Sequence, residues 1–282
     1  MPELESILRT EMPGIIKKTA NGVEYRAASN LLMMDVPHAF TTRIGGVSDG
    51  FFSSLNMGVS RGDRREHVLK NYEILFEALG LPLENSVFFR QVHGSDVRVV
   101  TRADTGLGLF RDSDGAFDGM VTNDPEVSLV VFGADCVPVI LYDPVSRSVG
   151  AVHSGWRGTV KAAVVSTIRK MCGEFGARPE NIRAAIGPAI GPCCFETDDD
   201  VPYALTEAMG LAAHLRMSRA GKDRWHVDIK SINLDLMINE GVPDYQIAVS
   251  RECTGCLPEL YWSQRKMGGD RGVQCAVIAL PK

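Results

Sequence analysis

No run of about 18 apolar residues occurs in this 282-residue chain, which excludes a membrane-spanning helix. Basic charge is not in excess either. Lys and Arg total 30 against 35 Asp and Glu, a net charge of -5 that argues against a nucleic-acid or anionic-membrane partner. There is no internal repeat, low-complexity tract or block of like charge. The first residues, Met1 to Ser6, are acidic and lack the basic-then-apolar pattern of a secretory signal. Cysteines number seven, an odd count, in a chain whose 45% hydrophobic content suffices for a core without disulfide staples. Reduced thiols and a cytoplasmic location are therefore expected.

What is present is a mixture of strand-like and helix-like segments throughout, which predicts an α/β or α+β class. The first thirty residues are weakly patterned and are expected to be peripheral, apart from a small hairpin around Ala20-Asn21-Gly22. His38–Thr42 reads as a strand, followed by a Gly/Ser-rich loop from Arg43 to Gly58. A helix is expected from Asp63, with Asp63 and Glu66 as a capping-box pair, an apolar stripe through Val68, Tyr72, Leu75, Phe76 and Leu79, and a stop at Gly80. Val87–Gln91 and Asp96–Val100 read as a hairpin with His93 at its tip. Further strands are expected at 127–132, 182–186, 246–250 and 273–279, and helices after Thr159 and at 197–209 and 231–240.

The most informative segment is Asp135-Cys136, an apolar run to Tyr142, Asp143-Pro144 as a turn start, and a second apolar run ending in His153. A hairpin with its midpoint between Pro144 and Val145 makes Cys136 and His153 cross-strand neighbours, with Cβ atoms about 4.5–5.5 Å apart. That suits a shared metal, or a thiol beside its base. A slip of one residue would spoil the pairing. Cys136 read alone fits a core thiol as well as a functional one. His153 alone fits a hydrogen-bonded structural histidine as well as a ligand. After it, Gly155, Arg157 and Gly158 lead into a helix start. Arg157 there is either a phosphate fork or a solvated side chain beside a plain Thr159 cap. His93 is either an exposed tip or the third ligand of an open zinc site. Cys253-Thr-Gly-Cys256 lacks a spaced second pair, since Cys193 and Cys194 are adjacent, and these four are read as plain thiols. Asp198, Asp199 and Asp200 read as helix-start acids.

Together these segments resemble one family, the YfiH/YlmD-type or laccase-domain proteins, also called peptidoglycan-editing-factor-like. The matching stretches are Phe40–Gly46, Leu55–Gly58, Gln91–Gly94, Asp118-Gly119, Ala134–Pro138, His153–Thr159, Ile186–Gly191 and Cys194–Glu196. The resemblance implies a single α/β domain over residues 1–282, layered α/β/β/α. It implies zinc held by His93, Cys136 and His153, with copper as a second choice. It also implies phosphorolysis of adenosine, inosine, guanosine and methylthioadenosine, and deamination of adenosine, so purine nucleosides and phosphate are the expected partners. The chain departs from the family pattern near its C-terminus, where Gln264 and Lys266 replace a tyrosine and an arginine.

On this reading Arg43 and Arg157 are candidates to hold phosphate, and Asn56 and Gln91 to orient ribose or base. Asp135 either fixes a ligand histidine or caps the turn. Three rival functions use the same residues. One is a cysteine hydrolase with Cys136 as nucleophile and His153 as base, which would not need His93. A copper oxidase is another, although six histidines are few for a trinuclear cluster besides this trio. The last is a closed structural zinc site, which needs a fourth protein ligand. Monomer and homodimer are both left open.

Overall fold

The structure is a computed structural model that describes residues 13–282. The reading of Met1 to Ser6 therefore lies outside the described residues. Fifteen strands occur among those described. The first sheet takes β1 (Ile15–Ala20), β2 (Val23–Ala28), β3 (His38–Thr41), β4 (Ser86–Val87), β7 (Ser128–Gly133) and β15 (Gln274–Ala279), in the order β1-β2-β3-β15-β7-β4. The second takes β5 (Val97–Val99), β6 (Gly119–Thr122), β8 (Val137–Asp143), β9 (Ser148–Ser154), β10 (Arg183–Ile186) and β14 (Ile247–Val249), in the order β14-β10-β8-β9-β6-β5. A small third sheet joins β11 (Glu196–Thr197), β12 (Met217–Arg219) and β13 (Trp225–Val227). The helices are α1 (Ser29–Leu32), α2 (Arg65–Leu79), α3 (Trp156–Val160), α4 (Ala163–Phe175), α5 (Asp200–Met209), α6 (Ile229–Asn239) and α7 (Gln264–Met267). No helix among them is long and apolar enough to cross a membrane.

Side-chain alternation along the strands builds the layers. On β8, Ile140 and Tyr142 join the core between the two large sheets, whereas Val139 and Leu141 face α4 and α6. On β15, Ala276 and Ile278 enter the inter-sheet core, whereas Cys275 and Val277 pack with Val68, Tyr72, Leu75 and Phe76 of α2. Helix, sheet, sheet and helix thus stack as one mixed α+β domain, and a strand covered on both faces reads as a continuous apolar run. Within residues 15–28, β1 is the mostly exposed edge strand, as expected of a peripheral segment, but β2 is not peripheral. The expected hairpin forms, and β2 lies inside the first sheet with Val23, Ala27 and Ala28 buried.

Other expectations shift. The capping box at Asp63 does not form. Helix α2 begins two residues later, because the Asp63 carboxylate is taken by Asn56, Ser48 and the Arg64 N–H. Its stop at Gly80 holds, with φ 66°. The proposed hairpin with His93 at its tip is not a hairpin: β4 pairs in parallel with β7 of one sheet, and β5 in parallel with β6 of the other. The intervening 88–96 segment crosses between sheets. The strands β5, β6 and β8 begin, and β9, β10 and β14 end, at the same end of the second sheet. The candidate site lies there.

Candidate metal centre

Strands β8 and β9 pair as an antiparallel hairpin, but Pro138 faces His153, so Cys136 falls opposite Gly155. This register is two residues from the expected one. The turn is longer, with the Asp143 carboxylate accepting from Val145 and Ser146 N–H and Arg147 at φ 48°. A shift of two residues keeps both side chains on one face, so Cys136 and His153 become diagonal neighbours. Gly155 makes room for the thiol: a Cβ there would lie 2.8 Å from Cys136 Sγ and 3.0 Å from His93 Cδ2.

The ligand atoms of His93, Cys136 and His153 lie within 4.8 Å of one another. His93 Nε2 is 3.9 Å from Cys136 Sγ, and the two imidazole rings cross at 80° with centroids 4.8 Å apart. Asp118, just before β6 and 1% exposed, organises the group. Its carboxylate accepts the His153 Nδ1–H at 2.8 Å and the backbone N–H groups of Val92, His93 and Gly94 at 3.1, 2.9 and 2.7 Å. One buried carboxylate therefore turns His153 Nε2 towards the thiol and holds the loop of His93, whose φ is 58°.

The electrostatics match. Burial works against ionisation of the Cys136 thiol, but the charge of His153, then hydrogen bonds from His153 and His93, pull it down to about 6. Burial likewise disfavours the His153 imidazolium, yet the Cys136 thiolate and then Asp118 push it up to about 9. Against its own burial, Asp118 is held at about 2 by the hydrogen bond from His153 and then that from Gly94 N–H. A thiolate is thus available at neutral pH, and the thiolate is both the nucleophilic and the metal-binding form.

The other predicted residues divide. Gln91 lines one cleft beside the trio, but its amide is committed to the Phe132 backbone, donating to the carbonyl and accepting the N–H. Asp135, 8% exposed and at φ 91°, accepts from Thr254 Oγ1 and Arg265 N–H and not from a ligand histidine; Asp118 does that. Asn56 is fully buried and fastens Gly58 and Val273 N–H to its own Oδ1. Arg43 lies 3.9 Å above the Trp262 ring and donates to Ser53 and Pro258 carbonyls. Arg157 is exposed over Trp156 at 4.1 Å. Neither Arg43 nor Arg157 lines the clefts that flank the trio.

Those two clefts have volumes of about 610 and 620 Å³, and both reach His93 and Cys136. Two arginines that the sequence did not single out, Arg61 and Arg271, line both. Arg271 is 5% exposed, and its Nε and Nη2 donate to Gln264 Oε1. Burial, then the charge of Arg61, lower the Arg271 guanidinium to about 10, so it stays a cation at neutral pH beside a second cation. Gln264, one of the departures from the family pattern, also lines the second cleft. The signals for these residues were faint. Arg61 closes the Asn-Met-Gly loop, and Asp118 precedes a strand after a Gly/Asp-rich loop.

Residues 37–281 match a family model described as multi-copper polyphenol oxidoreductase laccase. YlmD of Bacillus subtilis, named a purine nucleoside phosphorylase, is 35% identical over 90% of this chain and 92% of its own. A Deinococcus radiodurans protein of the same name is 38% identical over 94% and 96%. Among solved structures, YlmD from Geobacillus stearothermophilus superposes with a TM-score of 0.88 at 35% identity, over 96% of this chain and 100% of that one. The Bacillus licheniformis hypothetical protein YfiH also gives 0.88, at 33% identity over 94% and 98%. By sequence and by fold alike, the chain belongs to the YlmD/YfiH laccase-domain family, several of whose members are named purine nucleoside phosphorylases.

Proposed function

We propose that the chain is a zinc-dependent purine nucleoside enzyme of the cytoplasm. It phosphorolyses adenosine, inosine, guanosine and methylthioadenosine to base and (methylthio)ribose 1-phosphate, and it deaminates adenosine to inosine. One observation carries the reading: the His93, Cys136 and His153 side chains line one cleft together with Arg61 and Arg271. Two imidazoles and a thiolate suit zinc and leave a fourth position for chemistry. When bound, zinc supplies Lewis acidity that makes an oxygen nucleophile available at neutral pH.

The chain's own residues do the rest. Phosphate is held by Arg61 and Arg271, because these two guanidiniums line both clefts beside the trio, whereas Arg43 is engaged with Trp262 and backbone carbonyls and Arg157 lines neither cleft. In phosphorolysis the bond from ribose C1′ to the purine nitrogen breaks, a C1′–O bond to phosphate forms, and the base takes up a proton. Asn56, through Gly58 and Val273, and Gln91, through Phe132, hold the cleft wall in shape. Asp118 fixes His153, and Asp135 fixes the turn that presents Cys136. A multicopper reading does not fit the residues. All six histidines are within the described part, and only His93 and His153 fall in a metal-capable group.

The test is chromatography of adenosine and phosphate after incubation with zinc-loaded and with chelated protein. Adenine plus ribose 1-phosphate, or inosine, formed only with zinc is the expected result. Turnover that survives complete chelation overturns zinc dependence. The thiolate–imidazolium pairing of Cys136 and His153 also favours a second reading, a cysteine hydrolase. His93→Ala separates the two: the zinc enzyme loses nucleoside turnover, whereas a Cys–His hydrolase retains activity on its own substrate.

A further inference from the structure

Three of the seven cysteines are explained without difficulty: Cys136 in the trio, Cys275 in the core and Cys172 on α4. The remaining four, read from sequence as unrelated thiols, are gathered by the fold. Cys193 and Cys194 sit in the segment leaving the end of β10, and Cys253 and Cys256 in the segment leaving the end of β14. Their parent strands are parallel neighbours, so the two segments run side by side, bridged at Ala189 and Cys253. Each folds into a tight turn, with Cys194 N–H on the Gly191 carbonyl at 3.0 Å and Cys256 N–H on the Cys253 carbonyl at 3.1 Å.

All four sulfurs lie within 4.8 Å of one another. Cys256 Sγ is 3.4 Å from Cys193 Sγ and 3.5 Å from Cys194 Sγ. A tetrahedral site with metal–sulfur bonds of about 2.3 Å needs sulfurs about 3.8 Å apart, whereas a disulfide needs about 2.05 Å. Two glycines clear the space. A Cβ on Gly255 would meet Cys194 Sγ at 3.1 Å, and one on Gly191 would meet Cys193 Sγ at 3.4 Å and Cys253 Sγ at 3.5 Å. Gly191 N–H donates to Cys253 Sγ at 3.1 Å, the kind of contact that stabilises a ligating thiolate. Four thiolates around a divalent ion carry a net double negative charge. Buried Lys230, anchored on the Ser250 and Glu252 carbonyls, supplies a nearby cation.

The geometry points to a second, structural metal centre in which Cys193, Cys194, Cys253 and Cys256 hold one zinc ion. Four protein sulfurs leave no open position, so this centre clamps and does not catalyse. What it clamps is visible. Ile190 N–H donates to the Asp135 carbonyl at 2.9 Å, and Thr254, between the second pair of cysteines, donates to Asp135 Oδ1 at 2.6 Å. Both turns therefore grip the residue at φ 91° that precedes Cys136. The clamp holds the backbone turn that aims the thiol of the trio.

The experiment is zinc content per chain, with the visible spectrum of the cobalt-substituted protein, for the full chain and three variants. The chain is expected to carry about two zinc ions, falling to about one in Cys256→Ser and in Cys193→Ser. Cys136→Ser also loses about one, but keeps the intense thiolate-to-cobalt charge-transfer band of a four-sulfur site. Cys256→Ser loses most of that band. Failure of the trio to bind metal would leave about one zinc ion in the full chain and no further loss in Cys136→Ser, with the charge-transfer band still lost in Cys256→Ser, which separates the two centres. Unchanged zinc in Cys256→Ser, or a charge-transfer band abolished by Cys136→Ser, overturns the proposal. So does a Cys193–Cys256 disulfide without metal in chain purified under reductant. If Cys256→Ser does not fold, the band measured in Cys136→Ser decides alone.

Discussion

A single carboxylate sets the geometry of the candidate centre. Asp118 accepts three backbone N–H groups and one imidazole N–H, so it serves the His93 loop and His153 at once. In Asp118→Asn the side chain can accept at only one atom and carries no charge. Zinc affinity, measured by competition with a chromogenic chelator, is expected to fall by about 10–100-fold. Equal affinity would show that the trio orients itself. His38 makes a different residue-scale point. Its Nε2 accepts the Ala28 N–H at 2.7 Å and its Nδ1 faces the Val36 carbonyl at 2.8 Å, which specifies a neutral ring. Burial lowers its pKa from 6.5 to about 4, despite the opposing hydrogen bond to Val36. The unfolded chain then binds the proton more readily than the folded one. The His38 contribution is whole above about pH 6.5, and shrinks as pH falls towards 4, by about 3 kcal/mol in all. Urea unfolding at several pH values should show the gap between wild type and His38→Gln closing over that window; a constant gap would contradict it. Sequence could place Cys136 beside His153 through the hairpin spacing, and add His93 through the family resemblance, and the three side chains do gather. It could not see that Asp118 and not Asp135 faces His153, since both are acids beside strands.

At the scale of elements, the hairpin shows what periodicity does and does not carry. Alternation decides which face a side chain takes, so a register two residues from the expected one still left Cys136 and His153 together. The turn decides the register itself, through the Asp143 hydrogen bonds that lengthen the loop. Gly155 stands where that register needs an absent side chain. Its φ of −67° is open to any residue, so Gly155→Ala acts by contact alone. The added methyl displaces the thiol and the His93 ring, and turnover is expected to drop on the order of 100-fold with thermal unfolding little changed. A fully active variant would mean that the trio tolerates a loose thiol. The 88–100 segment shows the opposite case. Two strand-like runs around a polar tip look like a hairpin, yet each found a parallel partner in a different sheet, which no local pattern encodes.

Over the whole molecule, the two large sheets share one core, and the strand ends of the second sheet bring distant segments to one place. Arg61 and Arg271 are 210 positions apart in sequence and border the same two clefts. A ligand that binds only the folded chain stabilises it by mass action. Phosphate at about a hundredfold above its dissociation constant should add about 2.7 kcal/mol to unfolding stability. In the Arg61→Met, Arg271→Met double variant this increment should vanish, read by thermal unfolding with and without phosphate. An undiminished increment would place the anion elsewhere. By itself the sequence determined the mixed class, most of the elements, the face each strand buries and the closeness of Cys136 and His153, because these follow from side-chain type and short-range period; His93 joined them through the family resemblance. Only the tertiary structure decided the register of the hairpin, the partner of His153, the arginines at the clefts and the gathering of four scattered cysteines. Each of those depends on which strand ends meet, a property of contacts distant in sequence that no local period records.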